Sequence, residues 1–344
     1  MADKALLIPG TGGTQLLKNG VSLGHPVVIN LRLWLMKAAG VSLRETVLDM
    51  SMRHLPGRID PDKTTLADGA RVTAGPVLTA AYNQLIPRVD AAFTYDWRGD
   101  IEYSAHQLID HLMGEDLHGG KWKLVAHSQG GLVALTASQL CRAKTGRPFS
   151  SLVSHLLLVA VPVYGTLNAA SALVEGRDLG DGPAAEFRQI AGTWPALYQM
   201  LPDFGALRTR TGDVSPYTFL HTKTWERCTW VSKDLVRRAV EFKRTYLQYP
   251  TRGLDQVYYS HLLFTNKPTW DHALRDEDGT IRFGRKSATG DGLVPFKATV
   301  SRMTDVERQR RHVVGLQANT PEHSMVMTDD FVASRVMVEL EKLS

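Results

Sequence analysis

Cysteine is nearly absent from this chain. Cys141 and Cys228 are the only two in 344 residues, far apart and without a CxxC partner. That argues against a disulfide framework and favours a reducing compartment. Long apolar runs are missing too. The run Ala5 to Ile8 stops at Pro9-Gly10, too short for the h-region of a secretory leader. The run Leu31 to Ala39 carries Arg32 and Lys37 and is too short to span a bilayer. The expectation is a cytoplasmic chain with no signal peptide and no transmembrane segment. Neither the G-x-x-x-x-G-K-[ST] nor the G-x-G-x-x-G spacing occurs, so a nucleotide site is not expected. No helix-turn-helix, zinc-finger or RRM pattern accompanies the positive charge, so nucleic acid is not an expected partner. No metal-ligand spacing is visible, and the expectation is that the chain needs no cofactor.

What is present is ordinary for a globular chain. With 43% hydrophobic and 22% charged residues, a chain of this length can bury a core without staples. The formal net charge is +5, and the cations cluster at Arg208 and Arg210, Arg237-Arg238, Lys243-Arg244 and Arg308 to Arg311. Such clusters read either as solvated faces or as a surface for anionic membrane headgroups.

Short apolar runs alternate with helical patterns, the signature of a mostly parallel sheet flanked by helices. The runs are Ala5 to Ile8, Ala91 to Tyr95, Trp122 to Ala126, Leu156 to Val161, Val257 to Phe264 and Val313 to Leu316. Between them, Ile101, Ala105, Leu108, Ile109 and Leu112 share a helical face. Gly131 to Lys144 is helical in pattern, with Gly146 placed to cap it. Asp329 or Asp330 is placed to start a last helix. The spacing predicts a single domain over 1–344, interrupted by an N-terminal excursion at about 14–88 and a cap insertion at about 167–256. Both are expected over the C-terminal edge of the sheet, where open α/β sheets bind ligands.

The strongest local signal is Leu124-Val125-Ala126-His127-Ser128-Gln129-Gly130-Gly131-Leu132. It reads as strand, G-x-S-x-G-like turn with Ala126 in the first glycine position, and helix. Small residues two before and two after the serine let strand and helix backbones pass closely, and the turn exposes a strained nucleophile. A serine needs a histidine to take its proton and an acid to orient that histidine. On this architecture the chain order is Ser, acid, His, with the base before the last helix. Of twelve histidines, His323 alone sits between the last apolar run and that helix. His127, beside Ser128, is expected to point the wrong way. Asp291, in Gly290-Asp291-Gly292, is the best acid, although an Asp between glycines is also a common turn. Two oxyanion N–H donors are expected, from Gln129 and from Thr11 in the loop Pro9-Gly10-Thr11-Gly12-Gly13.

At these residues the sequence resembles the lecithin:cholesterol acyltransferase-like (LCAT-like) family, which includes phospholipases and acyltransferases. The matching blocks are Leu7-Ile8-Pro9-Gly10, Tyr95-Asp96-Trp97-Arg98, Ala126 to Gly131, and loosely Val161-Pro162 with Gly165-Thr166. Also matching are Thr193-Trp194-Pro195-Ala196-Leu197-Tyr198-Gln199-Met200-Leu201-Pro202, Gly290 to Pro295, and Glu322-His323-Ser324. The resemblance implies an α/β-hydrolase fold with a cap, acting on lipid acyl esters. It also implies that Trp97 lines the acyl pocket, and the apolar and aromatic cap residues Trp194, Leu197 and Tyr198 are the accompanying candidates for substrate binding. The family's lid disulfide has no counterpart, because no cysteine precedes Cys141.

The reading is a serine-dependent acyl-ester hydrolase or O-acyltransferase of lipid metabolism. Its alternatives are an esterase or thioesterase on a non-lipid metabolite, and a catalytically silent binding module of the same fold.

Overall fold

The computed structural model describes residues 3–22, 72–115, 117–176, 188, 191–300, 313–316 and 321–342. The apolar run 31–39, the cation cluster 308–311 and most of the excursion expected at 14–88 lie outside the described residues.

Six strands form the central sheet: β1 (Lys4–Ile8), β2 (Ala91–Ala92), β3 (Trp122–His127), β4 (Val153–Val159), β5 (Tyr258–Phe264) and β6 (Val313–Leu316). Their order is β6-β5-β4-β3-β1-β2, and every pairing is parallel. A parallel sheet is covered on both faces, which is why its inner strands read as unbroken apolar runs. The alternation of side chains then sorts the helices. Leu124, Ala126, Leu156 and Leu158 face one way, into a core shared with α1 (Ile101–Gly114) and α2 (Gln129–Thr145). Val125, Leu157 and Val159 face the other way, against the terminal helix Asp330–Glu341. The chain passes from β1 outward to β2 and then back across to β3. The direction of winding therefore reverses beside β1, which opens a crevice at the C-terminal ends of β1 and β3.

The expected boundaries move where local chemistry intervenes. The run 91–95 pairs only at Ala91–Ala92. Phe93 still donates its N–H to Leu7 at 2.8 Å, and the Tyr95 hydroxyl turns to the Pro9 carbonyl. The run expected at 156–161 is a strand from Val153 to Val159. Its polar start, Ser154-His155, is held by Asp3, and its end comes where Ala160 adopts φ 52°. The helix expected at 131–144 begins at Gln129 and ends at Thr145, with Gly146 left-handed at φ 73°. Asp329 is the residue that caps the terminal helix, accepting from the Val332 N–H.

Between β4 and β5 the chain leaves the sheet. It forms α3 (Leu167–Val174), a short helix Pro195–Gln199 and α4 (Lys233–Phe242), which runs on into a single π-helical turn at Lys243–Leu247. The terminal helix becomes α5. A small antiparallel sheet of Thr14–Lys18, Val21–Ser22 and Val72–Val77 follows β1 and leads to a short helix at Thr79–Tyr82. Among the described residues, no helix is long and apolar enough to cross a membrane.

Candidate active site

Ser128 is the single residue between β3 and α2. Its backbone lies at φ 53° and ψ −126°, a region that side-chain-bearing residues avoid at a cost of about 1–3 kcal/mol. Its surroundings hold it there. The Ser128 N–H donates to Val159 at 2.9 Å, and the Ser128 carbonyl receives Gly131 N–H at 3.0 Å. The small residues of the motif are steric requirements. A Cβ on Gly130 would sit 2.4 Å from the Ile8 carbonyl oxygen, and one on Gly131 would sit 2.2 Å from Val161. Strand β1, strand β3 and helix α2 therefore cross at backbone contact, with Ser128 at the crossing.

The structure brings Ser128, His323 and Asp291 together. His323 Nε2 lies 2.7 Å from Ser128 Oγ, and His323 Nδ1 lies 2.7 Å from Asp291 Oδ2. All three are buried, at 7%, 5% and 2% exposure. Asp291 Oδ1 accepts the N–H groups of Leu293 and Val294 at 3.0 and 2.7 Å. With those bonds and the imidazole, the carboxylate is fixed in place and its buried oxygens are satisfied. The Asp291 carbonyl also receives the His323 N–H at 3.1 Å, so acid and base are tied through both backbone and side chain. The Gly292 N–H is anchored on the Thr269 hydroxyl, and Lys286 closes on the Gly292 carbonyl.

Thr11 and Gln129 meet beside this array. The Thr11 hydroxyl donates to Gln129 Oε1 at 2.7 Å, and Gln129 Nε2 donates to the Trp97 carbonyl at 2.9 Å. One amide side chain thus links the loop after β1, the start of α2 and the loop after β2. The backbone N–H groups of Thr11 and Gln129 find no acceptor among the described residues. His127 turns away from Ser128, as expected, and its Nδ1 lies 2.8 Å from the Tyr82 hydroxyl.

The four aromatic and apolar candidates occupy one buried cluster. The rings of Trp97 and Trp194 meet edge to face, with centroids 5.2 Å apart and planes at 90°. Trp97 Nε1 donates to the Thr14 carbonyl. Leu197 and Tyr198 lie on the helix Pro195–Gln199. The Tyr198 hydroxyl donates to the Gly192 carbonyl and accepts the Ser232 N–H, so its polar end is committed within the inserted segment.

Several residues that shape the site carry no motif. Tyr82 holds both Gly10 and His127. Thr269 anchors Gly292. From the loosely matching block Gly165-Thr166, the Thr166 hydroxyl donates to the Leu293 carbonyl next to Asp291. Asp100 caps α1, receives Gln199 Nε2 at 3.0 Å and pairs with Arg238 of α4. The capping role was readable, since Asp100 directly precedes the helical pattern from Ile101. Its contact across 138 residues was not. The cation clusters within the described residues mostly have partners: Arg238 on Asp100, Arg237 on Asp234, and Arg210 near Asp276. Among the described residues, no group of three or more His, Cys, Asp or Glu is arranged to hold a metal ion.

No known family description and no characterised protein matches the chain by sequence. Among solved structures, the chain is similar to Tle4 in the Tle4–Tli4 complex. The TM-score is 0.60 at 13% identity, over 99% of this chain and 99% of that one. A looser likeness is to the mature lipase BlEst2 of Bacillus licheniformis, with TM-score 0.42 and 14% identity over 75% of this chain and 82% of that one. Another is to the phospholipase PlaB of Legionella pneumophila, with TM-score 0.37 and 11% identity over 87% of this chain and 45% of that one. The looser two carry no weight here. The sheet, its winding and the first likeness give the chain the α/β-hydrolase fold.

Proposed function

We propose that this chain is a serine hydrolase of acyl esters, with lipids as its substrate class. The observation that carries the reading is the buried Ser128–His323–Asp291 array, two 2.7 Å contacts in series on a strained turn. Ser128 Oγ attacks the ester carbonyl carbon while His323 Nε2 takes its proton. Asp291 holds the Nδ1–H and stabilises the imidazolium that forms. The oxyanion is received by the N–H groups of Thr11 and Gln129. As the tetrahedral centre collapses, the C–O bond to the leaving alcohol breaks and Nε2 returns the proton to that alcohol. Water then attacks the acyl-serine, giving its proton to Nε2, and Ser128 is restored as the carboxylic acid leaves.

The inserted segment 167–256 acts as a cap in this reading. Trp97, Trp194 and Leu197 form the wall that takes the acyl chain, with Tyr198 standing behind them. Burial of the reacting groups restrains water, which keeps transfer to an alcohol open as the second fate of the acyl-serine. An anionic membrane surface is the proposed place of encounter, and the resemblance to the LCAT-like blocks supports lipid over small-metabolite esters.

A fluorophosphonate probe with mass mapping of the labelled peptide tests the mechanism. Labelling at Ser128, absent in Ser128→Ala, is the expected result. No labelling, with or without lipid vesicles, would move the reading to a silent binding module. A series of esters of increasing acyl length then tests the substrate class: activity confined to short acyl chains would favour the non-lipid esterase.

A further inference from the structure

His127 is buried beside the reacting groups, yet takes no part in the steps above. Its Nδ1 lies 2.8 Å from the Tyr82 hydroxyl, and the same oxygen receives the Gly10 N–H at 2.9 Å. Its ring lies against that of His323, with centroids 5.1 Å apart and planes at 33°. Gly10 opens the loop that carries Thr11, and it passes so close to the nucleophile that a Cβ there would stand 2.7 Å from Ser128 Cβ.

The hydrogens can be assigned by counting donors. The phenolic oxygen is an acceptor for Gly10, so its own hydrogen is directed at His127 Nδ1. Nδ1 is then an acceptor, the ring proton sits on Nε2, and His127 is neutral. Two further effects agree with that assignment. Burial pushes the Tyr82 hydroxyl above its ordinary pKa, so it remains a donor. Burial first, and the neighbouring His323 second, hold His127 well below the ordinary imidazole value.

We propose that Tyr82 and His127 are a positioning pair, which locks the loop after β1 onto the nucleophile turn and keeps a neutral imidazole against His323. The proton leaving Ser128 then has one imidazole to go to, and the imidazolium forms beside an uncharged ring. The proposal rests on the hydrolase reading. Among the described residues, the titratable groups in contact with His127 are Tyr82, from the helix Thr79–Tyr82, and His323, the first residue of a short 3-10 helix at His323–Thr328. Tyr95, at the end of the β2 run, lies beyond the first, and Asp291 beyond the second.

The test compares wild type with Tyr82→Phe, His127→Asn and His127→Leu. The readouts are fluorophosphonate labelling rate, kcat and KM on a soluble ester, and the pH profile of kcat/KM, each normalised to folded protein by thermal melting. In Tyr82→Phe, kcat should fall about tenfold with KM unchanged. The acid limb should steepen toward a two-proton dependence, because loss of the Tyr82 donor removes a bond that favours neutral His127, while burial and His323 still oppose its charge. A loss of packing alone would not add a proton to that limb. Asparagine keeps an acceptor for the Tyr82 hydroxyl, so His127→Asn should stay within about threefold of wild type, while His127→Leu falls about tenfold. An unchanged rate and a one-proton limb in Tyr82→Phe would overturn the pair. So would equal rates in the asparagine and leucine variants, which decide the matter if Tyr82→Phe fails to fold. Wild-type protein that does not label at Ser128 would instead remove the hydrolase reading, and the pair with it.

Discussion

The two ends of the sheet hold the same three residue types, wired differently. At the C-terminal end, His323 stands between Ser128 and Asp291, one ring nitrogen to each. At the N-terminal end, Ser154 stands between Asp3 and His155. Its hydroxyl donates to Asp3 Oδ2 at 2.5 Å, and His155 Nδ1 lies 3.0 Å from the same hydroxyl. Because the Ser154 hydrogen is committed to a carboxylate, the imidazole must donate to Ser154 Oγ rather than accept from it. Asp3 is also bound by the Lys121 N–H. Burial works against its charge, but the Ser154 and Lys121 bonds more than offset that and hold its carboxyl below the ordinary value. The backbones differ as well. Ser154 lies in strand β4, where the pairing with β3 shifts register between Val153 and His155, whereas Ser128 is held at positive φ on a turn. A serine, a histidine and an aspartate in contact are thus not yet a nucleophile. In the proposed mechanism the order of the hydrogen bonds and the strain of the turn make the difference.

The largest effect expected from that contrast is on turnover. Ser128→Ala should lower ester hydrolysis by roughly 10⁴-fold or more, while Ser154→Ala leaves it unchanged. Equal losses in steady-state assays would erase the distinction between the two ends. Next in size is the acid. Asp291→Asn should cost about 10³ to 10⁴ in kcat by favouring the wrong imidazole tautomer. Asp3→Asn should show wild-type kcat and only a lower melting temperature.

A third pair of variants separates glycines that are needed from one that is not. Gly130→Ala forces a methyl into the Ile8 and Pro9 carbonyls and should destabilise by about 1–3 kcal/mol in denaturant titration. Gly114→Ala, with nothing within 4 Å, should stabilise by about 0.5 kcal/mol through helix propensity. The smallest effect concerns pH. Burial holds both His127 and His155 below the ordinary imidazole pKa. As pH falls below about 6.5, the unfolded chain therefore takes up protons that the folded chain does not, and stability drops. His155→Gln should flatten that decline by no more than one proton's worth, about 1.4 kcal/mol per pH unit, in melts run from pH 7 to pH 5. A slope unaffected by the substitution would mean that His155 contributes nothing to it.

The strands and the Ser128 turn were legible because residue type marks them along the chain. Parallel strands must be apolar on both faces, and Gly130 and Gly131 stand out beside Ser128 although what they pack against, Ile8 and Val161, is distant in sequence. His323, which the structure places beside Ser128 and Asp291, was chosen by chain order rather than by any property of its own neighbourhood. Tyr82 was not found, because its hydroxyl serves Gly10 and His127, 72 and 45 residues away, and nothing beside it in sequence marks that duty. The start of β4 was missed for a related reason. Ser154 and His155 look like loop residues until Asp3, 151 positions earlier than Ser154, supplies their partner. In the run 91–95, the aromatic content suited a strand, but the Tyr95 hydroxyl is drawn to Pro9 and the pairing stops at Ala92.

Ser128 and His323 are 195 positions apart in a chain made from one end. At ordinary synthesis rates of 5–20 residues per second, the serine exists for roughly ten to forty seconds before its base has been made. During that interval β1, β3 and α2 can already assemble around the strained turn, yet the alcohol remains an ordinary one. The reactive state is thus timed by translation. On the proposed reading it arrives late, when α5 docks and brings the segment before it to the sheet, so a growing chain does not yet hold the Ser128–His323 contact.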